Sequence, residues 1–285
     1  MKKNLLSAVF LCAVLQSFSQ NDTTVTTNTD TIKAGNFTII KKAGKAGTNG
    51  KNGISFGWKK NENNKNPNIK TNWFVLDLGF TNYIDKTDYT FAQGGNYVRT
   101  LNAAAGAVTE QSLRLKTGKS SNVNLWIFMQ KLNVSENILN LKYGLGLEMY
   151  NFRFDRNPSY RKDPNPFIFN DSIGFSKNKL YAGYLTIPFM LNINTNPKAK
   201  NAFSFSAGIS AGYLISSRNK QVSDIRGKIK YKGDFDLQPF RVALVGDIGI
   251  GPIRVYGSYS LNALHKESTR LNQYPYAIGI RLSSW

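Results

Sequence analysis

Few side chains in this sequence are suited to catalysis. His265 is the only histidine, and Glu267 and Ser268 follow it closely, a combination found in some enzymes that modify lipid A. On an extended segment, however, residues 265 and 267 point to one side and residue 268 to the other, so a shared site is disfavoured and we expect a solvated His265. The only cysteine, Cys12, lies in an N-terminal apolar segment. We therefore predict no enzymatic activity, no cofactor and no metal.

A second group of chemically active side chains is charged and interrupts otherwise apolar segments. If the apolar side chains of these segments face outward, the charges share the inward face. The set is Asp77, Lys142, Glu148, Arg241, Asp247, Arg254 and Arg281. A two-residue connection at 250–251 would place Asp247 directly opposite Arg254, shielded from bulk water. We predict that these charges fill an interior and satisfy one another, and a narrow ion path is the alternative.

These charges belong to eight segments in which apolar residues alternate with small or polar ones, the period of two that indicates β-strands. The segments are residues 72–82, 122–133, 138–154, 178–195, 201–216, 239–250, 252–264 and 274–285. Several are longer than the five or six residues that are usual in soluble sheets. A tilted strand needs about 9–11 residues to cross a bilayer, which these segments provide.

The connections between the segments alternate in length. Those after the second, fourth and sixth segments are short, whereas the others span residues 83–121, 155–177, 217–238 and 265–273. Outer-membrane barrels have short periplasmic turns and longer external loops. The sequence therefore predicts an all-β fold, an eight-stranded antiparallel up-and-down transmembrane β-barrel over residues 72–285.

Three finer expectations follow from the alternation. In the second segment, Val123, Leu125, Ile127 and Met129 share one face. Pro188 removes a ladder hydrogen bond, so an irregularity is expected there. Aromatic residues near the predicted strand ends are expected to form interfacial girdles. They include Trp73, Tyr83, Tyr150, Tyr213 and Tyr274.

The N-terminal region differs from the rest of the chain. Lys2 and Lys3 precede an apolar stretch that is too short to span a bilayer as a helix, which indicates a signal peptide over residues 1–20. Residues 21–71 are rich in Thr, Asn, Gly and Lys and predict a flexible basic periplasmic segment with one short strand at 35–41. The formal charge is +20, and loss of two lysines with the signal leaves +18.

Much of this charge falls in the long connections. The residues concerned are Arg156, Arg161, Lys162, Arg218, Lys220, Arg226, Lys228, Lys230 and Lys232. We interpret them as basic outer loops that contact phosphorylated lipopolysaccharide or an external partner, rather than nucleic acid. The alternative is that they serve solubility and electrostatic tethering to anionic headgroups, and sequence does not separate the two.

Three short stretches resemble the PorT-like outer-membrane β-barrel family of Bacteroidota. They are residues 184–191 (YLTIPFML), 72–80 (NWFVLDLGF) and 30–35 (DTIKAG), within a likeness that covers about residues 30–285. The resemblance implies an eight-stranded barrel but no single activity. The best-known member assists protein secretion across the outer membrane, and most members have no assigned role.

Together these features predict a non-enzymatic barrel in the cell outer membrane, with a structural or partner-docking role in the envelope. Assistance to protein export is one form of that role. Outer-membrane lipids and lipopolysaccharide are the expected partners, together with other envelope or secretion proteins. A lipid A-modifying barrel enzyme and a narrow ion channel are the alternatives.

Overall fold

The computed structural model describes residues 68–199, 202–250 and 253–283, together with three strands nearer the N terminus. The chain divides into two units, Met1–Asn66 and Pro67–Trp285. In the first unit, strands β1 (Thr29–Ala34), β2 (Phe37–Lys42) and β3 (Ile54–Trp58) form an antiparallel sheet in that order. The sequence had predicted only the middle strand. The predicted signal peptide, most of the predicted flexible segment and Trp285 lie outside the described residues.

The second unit contains the long strands. In chain order they and their shorter companions are β4 (Ile69–Asp85), β5 (Ser121–Ser135), β6 (Leu139–Arg153), β7 (Pro158–Arg161), β8 (Phe167–Asn170), β9 (Lys177–Asn194), β10 (Phe203–Ser223), β11 (Gly227–Lys232), β12 (Phe240–Ile250), β13 (Ile253–Ser260) and β14 (Gln273–Leu282). Two short helices, α1 (Tyr89–Gln93) and α2 (Glu110–Leu113), lie between β4 and β5. Among the described residues, no helix is long and apolar enough to cross a membrane.

Eight of these strands close into a barrel. The order β10-β12-β13-β14-β4-β5-β6-β9 is antiparallel throughout, and pairing of β9 with β10 joins the two ends. Closure leaves no unpaired edge within the barrel wall, as a lipid environment requires. The predicted fold is therefore confirmed, and each of the eight sequence segments corresponds to one barrel strand.

The connections alternate as the sequence predicted. Residues 136–138, 195–202 and 251–252 form the short ones, and residues 86–120, 154–176, 224–239 and 261–272 form the long ones. The second long connection contains the β7–β8 hairpin. In the third, β11 pairs with the end of β10, so that this hairpin extends beyond the barrel wall.

Side chains on each strand divide between lipid and interior. On β9, for example, Leu185, Ile187, Phe189, Leu191 and Ile193 are 39–57% exposed, whereas the intervening residues are buried. Similar apolar rows follow the other barrel strands. They form the outward apolar band that lets a strand of mixed polarity cross a bilayer. We call this band the lipid belt.

Local irregularities interrupt two of the barrel strands, and one of them alters the predicted alternation. A bulge between Trp126 and Phe128 shifts the register of β5 against β6, so Met129 is inside and only 1% exposed. The prediction that Met129 faces outward is therefore wrong, because one extra residue reverses the alternation that follows it. At Pro188 the ladder between β6 and β9 is interrupted without a change of register, which agrees with the expected irregularity.

The predicted aromatic girdle is only partly correct. Trp73 and Tyr213 are about half exposed on the outer face, as expected, and Tyr274 is partly exposed. Tyr150 instead points inward and is 1% exposed. Tyr83 is also turned inward, and its hydroxyl donates to the carbonyl of Leu113. These two rings help to close the barrel rather than to anchor it in the interface.

Candidate functional site

Asp247 on β12 is the centre of the ionic cluster nearest the short connections. Its carboxylate accepts hydrogen bonds from Lys142 at 3.2 Å, Arg254 at 2.9 Å and Arg281 at 3.1 Å, and also from Ser206 at 3.1 Å. All three cations lie inside the barrel and are at most 6% exposed at the side chain. Charge-assisted hydrogen bonds of this length are the strong kind, particularly away from water.

The backbone register at this point differs from the predicted one. Residue Arg254 pairs with Gly249, and Asp247 pairs with Tyr256. The prediction that Asp247 lies directly opposite Arg254 is wrong, because the connection occupies residues 251–252 and not 250–251. The predicted and the observed connection both have two residues, an even number, so the side chains of Asp247 and Arg254 still share the inward face. Arg254 reaches Asp247 diagonally across the two strands.

Asp77 on β4 extends the cluster across the barrel. Arg281 of the neighbouring β14 is directly opposite and donates two hydrogen bonds to it, at 2.7 and 2.8 Å. Trp126 and Asn124 of β5 donate two more, at 2.7 and 3.1 Å. Arg281 therefore bridges Asp77 and Asp247 and links β4, β12 and β14 through side chains.

A second buried pair lies closer to the long connections. Arg241 on β12 donates to Glu148 on β6 at 2.8 Å, and Thr186 donates to the same carboxylate oxygen at 3.0 Å. Arg241 also donates to Ser260 at 2.8 Å and lies 4.8 Å from the ring of Tyr150. The structure thus places all seven sequence-predicted interior charges inside the barrel, three acids and four bases, divided between two clusters.

Little space remains between these two clusters. A cavity of about 10 Å³ is lined by residues that include Trp126, Glu148, Met190, Tyr256 and Arg281. That volume holds about one water molecule. The interior at this level is consequently filled by side chains, in the way expected of an eight-stranded barrel.

The long connections close the barrel beyond the Arg241–Glu148 pair, at the end away from the Asp247 cluster. Apolar residues from these connections pack onto inward residues of the barrel wall, Tyr150, Phe152 and Tyr184 among them. From the connections come Ala92, Tyr97, Val98, Val108, Leu113, Leu115, Phe154, Tyr160, Ile168, Phe235, Leu237, Leu264 and Leu271. We call this packed layer the loop core. The outer mouth is therefore occupied by a hydrophobic core, a feature that strand periodicity could not indicate.

His265 belongs to the loop core and is not solvated. It is 1% exposed, stacks on Tyr160 at 6.0 Å and meets Tyr97 edge-on at 5.8 Å. Burial lowers the pKa of His265 to about 3, an effect that Asp85 opposes only weakly, so the ring is neutral near pH 7. Glu267 and Ser268 are exposed, so the three residues do not form an accessible site. The prediction of a solvated His265 is wrong.

The predicted basic loop residues lie in several different surroundings. Arg161 and Arg226 face Asp171 at 3.9 and 2.6 Å, and Arg161 also lies 4.0 Å from the ring of Tyr231. Lys162 lines an outer cleft of about 380 Å³ together with Lys230 and Lys232. Arg156 is exposed. The remaining residues, Arg218, Lys220 and Lys228, lie on the hairpin of β10 and β11.

Sequence reasoning did not single out Arg153, Lys177 and Lys179 as candidate site residues. They lie where β6 ends and β9 begins, and the structure places them beside the β10–β11 hairpin. Their alternating positions at 177 and 179 were visible in the sequence. Their neighbours across the sheet were not, because those depend on the strand register.

A closed antiparallel barrel with apolar residues outside and charges inside defines the chain as a membrane-spanning β-barrel. The family model described as outer membrane protein beta-barrel domain matches residues 85–268. The chain belongs to this family, which places it in the outer membrane. No curated protein and no solved structure shows significant similarity to it.

Proposed function

We propose that this protein is a non-enzymatic platform in the outer membrane that docks other envelope components on its outer loops. The observation that carries the proposal is the filled interior. Two ionic clusters occupy the barrel from Arg254 to Arg241, and the loop core occupies the mouth. A filled barrel disfavours passage of solutes, so contacts are left to the external surface.

Assistance to protein export is the form of this role that we favour, because short stretches of the sequence resemble the PorT-like group. The external surface offers suitable contact points. The tip of the β10–β11 hairpin, for example, carries Ile225 with 79% exposure. Because Ile225 lies in the turn of this hairpin and away from the barrel interior, a substitution there changes the external surface alone.

The test compares an external variant with an internal one in a strain that lacks the gene. Ile225→Glu changes the hairpin tip. Glu148→Gln changes the interior while keeping the size of the side chain and one oxygen that can accept from Arg241 and Thr186. Envelope integrity and the amount of exported protein are measured for each strain, after gel mobility of unboiled samples has confirmed a folded barrel.

We expect the deletion and Ile225→Glu to reduce export or envelope integrity. Glu148→Gln breaks a buried ion pair and lowers stability, but at an equal amount of folded barrel it should behave like the unaltered chain. The reverse pattern, with loss only in Glu148→Gln, would support transport through the interior and contradict the platform. A deletion without any effect on either measurement would also count against it. Stepwise conductance of the purified barrel in planar bilayers would favour the channel instead.

A further inference from the structure

Strands β6, β9, β10 and β11 continue beyond the lipid belt on the side of the long connections. Their outward side chains there are mostly cationic. The residues are Arg153, Lys177, Lys179, Arg218, Lys220, Lys228, Lys230 and Lys232. We call this surface the basic face. It combines five of the predicted basic loop residues with the three that sequence reasoning did not single out.

The strand register aligns these cations directly across the sheet. Arg153 pairs with Lys179, Lys179 with Lys220, and Lys220 with Lys230, which gives four cations in a single row over four strands. Like charges directly opposite one another in a sheet are destabilising, since their Cβ atoms are only about 4.5–5.5 Å apart. The fold therefore maintains an unfavourable arrangement at this surface.

No carboxylate compensates this row within the described part of the chain. None of the ion pairs there includes a member of the basic face. Asp155 and Asp171 pair with arginines and a lysine elsewhere. Asp163 lines the outer cleft with Lys230 and Lys232, and Asp224 lies in the turn between β10 and β11, but neither takes part in an ion pair among the described residues. The contacts that do exist are to neutral groups. Lys179 donates to Asn151 at 2.6 Å, and Arg218 lies 4.3 Å from the ring of Tyr181.

The basic face continues the lipid-facing side of the barrel. On β9, the outward residues run from Ile193 through Leu185 to Lys179 without a change of alternation. On β10, a bulge between Leu214 and Ser216 reverses the alternation, which brings Arg218 and Lys220 onto the same outward side. The cations therefore lie directly beyond the lipid belt, at the height of the lipid headgroups.

The other face of this sheet is packed and holds the cations in place. Asn219 donates to Asn178 at 3.1 Å, and Gln221 donates to Ser159 of β7 at 2.6 Å. All four residues are buried. An extended sheet anchored on one side keeps the spacing of the cations on the other side fixed, which favours binding of a multiply charged anion.

We propose that the basic face binds the phosphorylated headgroup of lipid A in the outer leaflet. The lipid belt accommodates its acyl chains, and the cations above the belt contact its phosphates. Arginine and lysine are both suited to phosphate, arginine through paired N–H donors and lysine as a point charge. This inference does not depend on which protein docks on the outer loops.

The test uses the full chain in detergent, titrated with lipid A and followed by native mass spectrometry. Lys179→Gln combined with Lys220→Gln removes two adjacent cations from the row. Each basic residue near an anionic lipid surface contributes about 1 kcal/mol, so we expect roughly 30-fold weaker binding. Lys86→Gln combined with Lys198→Gln removes the same charge from exposed positions away from the basic face, after β4 and between β9 and β10 on the short-connection side, and should change binding little.

Two further titrations distinguish the source of the anion. Lipid A stripped of its phosphates should bind no better to the unaltered chain than to the Lys179→Gln, Lys220→Gln variant. Inorganic phosphate at the same concentration should not compete. Equal binding of phosphorylated and stripped lipid A, or competition by inorganic phosphate, would overturn the proposal. So would specific capture of an acidic protein in place of the lipid.

Thermal stability supplies an independent readout, because the substitutions should shift the unfolding temperature in opposite directions without and with lipid A. Without lipid A, the Lys179→Gln, Lys220→Gln variant should unfold at a higher temperature than the unaltered chain, because a like-charge repulsion is gone. With lipid A, the order should reverse. Unchanged order in both conditions would contradict the proposal. If the double variant fails to fold, Lys228→Gln with Lys230→Gln on β11 provides the same test outside the closed barrel.

Discussion

Replacing Asp247 by asparagine should destabilise the barrel more than any exposed charge change. Asp247 is 1% exposed and contacts Lys142, Arg254 and Arg281 within 3.2 Å. The substitution keeps the size of the side chain and removes the negative charge that faces three buried cations. Asp77 still faces Arg281, so the damage concerns mainly Lys142 and Arg254.

The expected magnitude follows from the burial of these groups. Removing one partner of a buried ion pair costs about 3–5 kcal/mol, because a buried charge loses its compensation. The asparagine amide oxygen still accepts hydrogen bonds from Ser206 and Lys142, so we expect a loss near 3 kcal/mol, at the lower end of that range. Asp247→Asn combined with Arg254→Met removes opposite charges together, and the two losses should fall short of additivity by about 1 kcal/mol or more.

Urea unfolding of the barrel in phosphatidylcholine vesicles, followed by tryptophan fluorescence, measures these free energies. Asp234→Asn is the matched control, because its carboxylate is 62% exposed and lies 3.7 Å from Lys266. An exposed pair of this kind contributes at most about 1 kcal/mol. If Asp247→Asn unfolds at the same urea concentration as Asp234→Asn, then the interior cluster does not stabilise the fold as argued.

Two other predictions concern the loop core and the barrel wall. Because the pKa of His265 is about 3 in the folded chain and 6.5 ordinarily, the unfolded chain binds a proton that the folded chain does not. Its contribution to the free energy of unfolding is therefore complete above pH 6.5 and falls by about 1.4 kcal/mol per pH unit towards pH 3. The free energy of unfolding of His265→Phe, measured over the same pH range, should lack this component. Identical pH profiles for the variant and the unaltered chain would contradict the argument. At Gly79, an added Cβ would lie 2.4 Å from a backbone oxygen of β14 and 2.6 Å from the Tyr256 hydroxyl. Gly79→Ala should reduce the folded band on unboiled gels, whereas Gly118→Ala, where an added Cβ has open space around it, should not. Equal folded bands for the two variants would show that the close approach at Gly79 does not limit folding.

The barrel could be predicted from sequence because its strands are long and their period of two is visible without knowledge of neighbours. The details that failed depend on single residues. One extra residue in the bulge at Trp126 and Phe128 moved Met129 inside, and a connection displaced by one position changed the partner of Arg254. The seven interior charges nevertheless lie inside, since a charge is costly on the lipid side whatever the register.

The loop core and the basic face were harder to predict for a different reason. Irregular connections have no period, so nothing in the sequence indicated that Ile168 and Leu237 would be buried or that His265 would join them. The row from Arg153 to Lys230 exists only through the pairing of four strands, of which β6 and β9 are separated by a long connection. Such arrangements are properties of the sheet and not of any one segment.

The interior charges have a structural consequence beyond stability. A buried ion pair is often no more stabilising than apolar residues of similar volume, because of the cost of desolvation. In a membrane barrel, however, an apolar residue is acceptable on either face of a strand, and alternation alone does not fix which face is inward. An arginine facing lipid costs about 2–4 kcal/mol at the bilayer centre, so a slip of one residue that exposed Arg281 or Arg241 would be disfavoured strongly. Direct pairing of Arg281 with Asp77 across β14 and β4 also sets the register where the last barrel strand meets the first. We therefore interpret the ionic clusters as determinants of strand register, which accounts for charges that stability alone would not require.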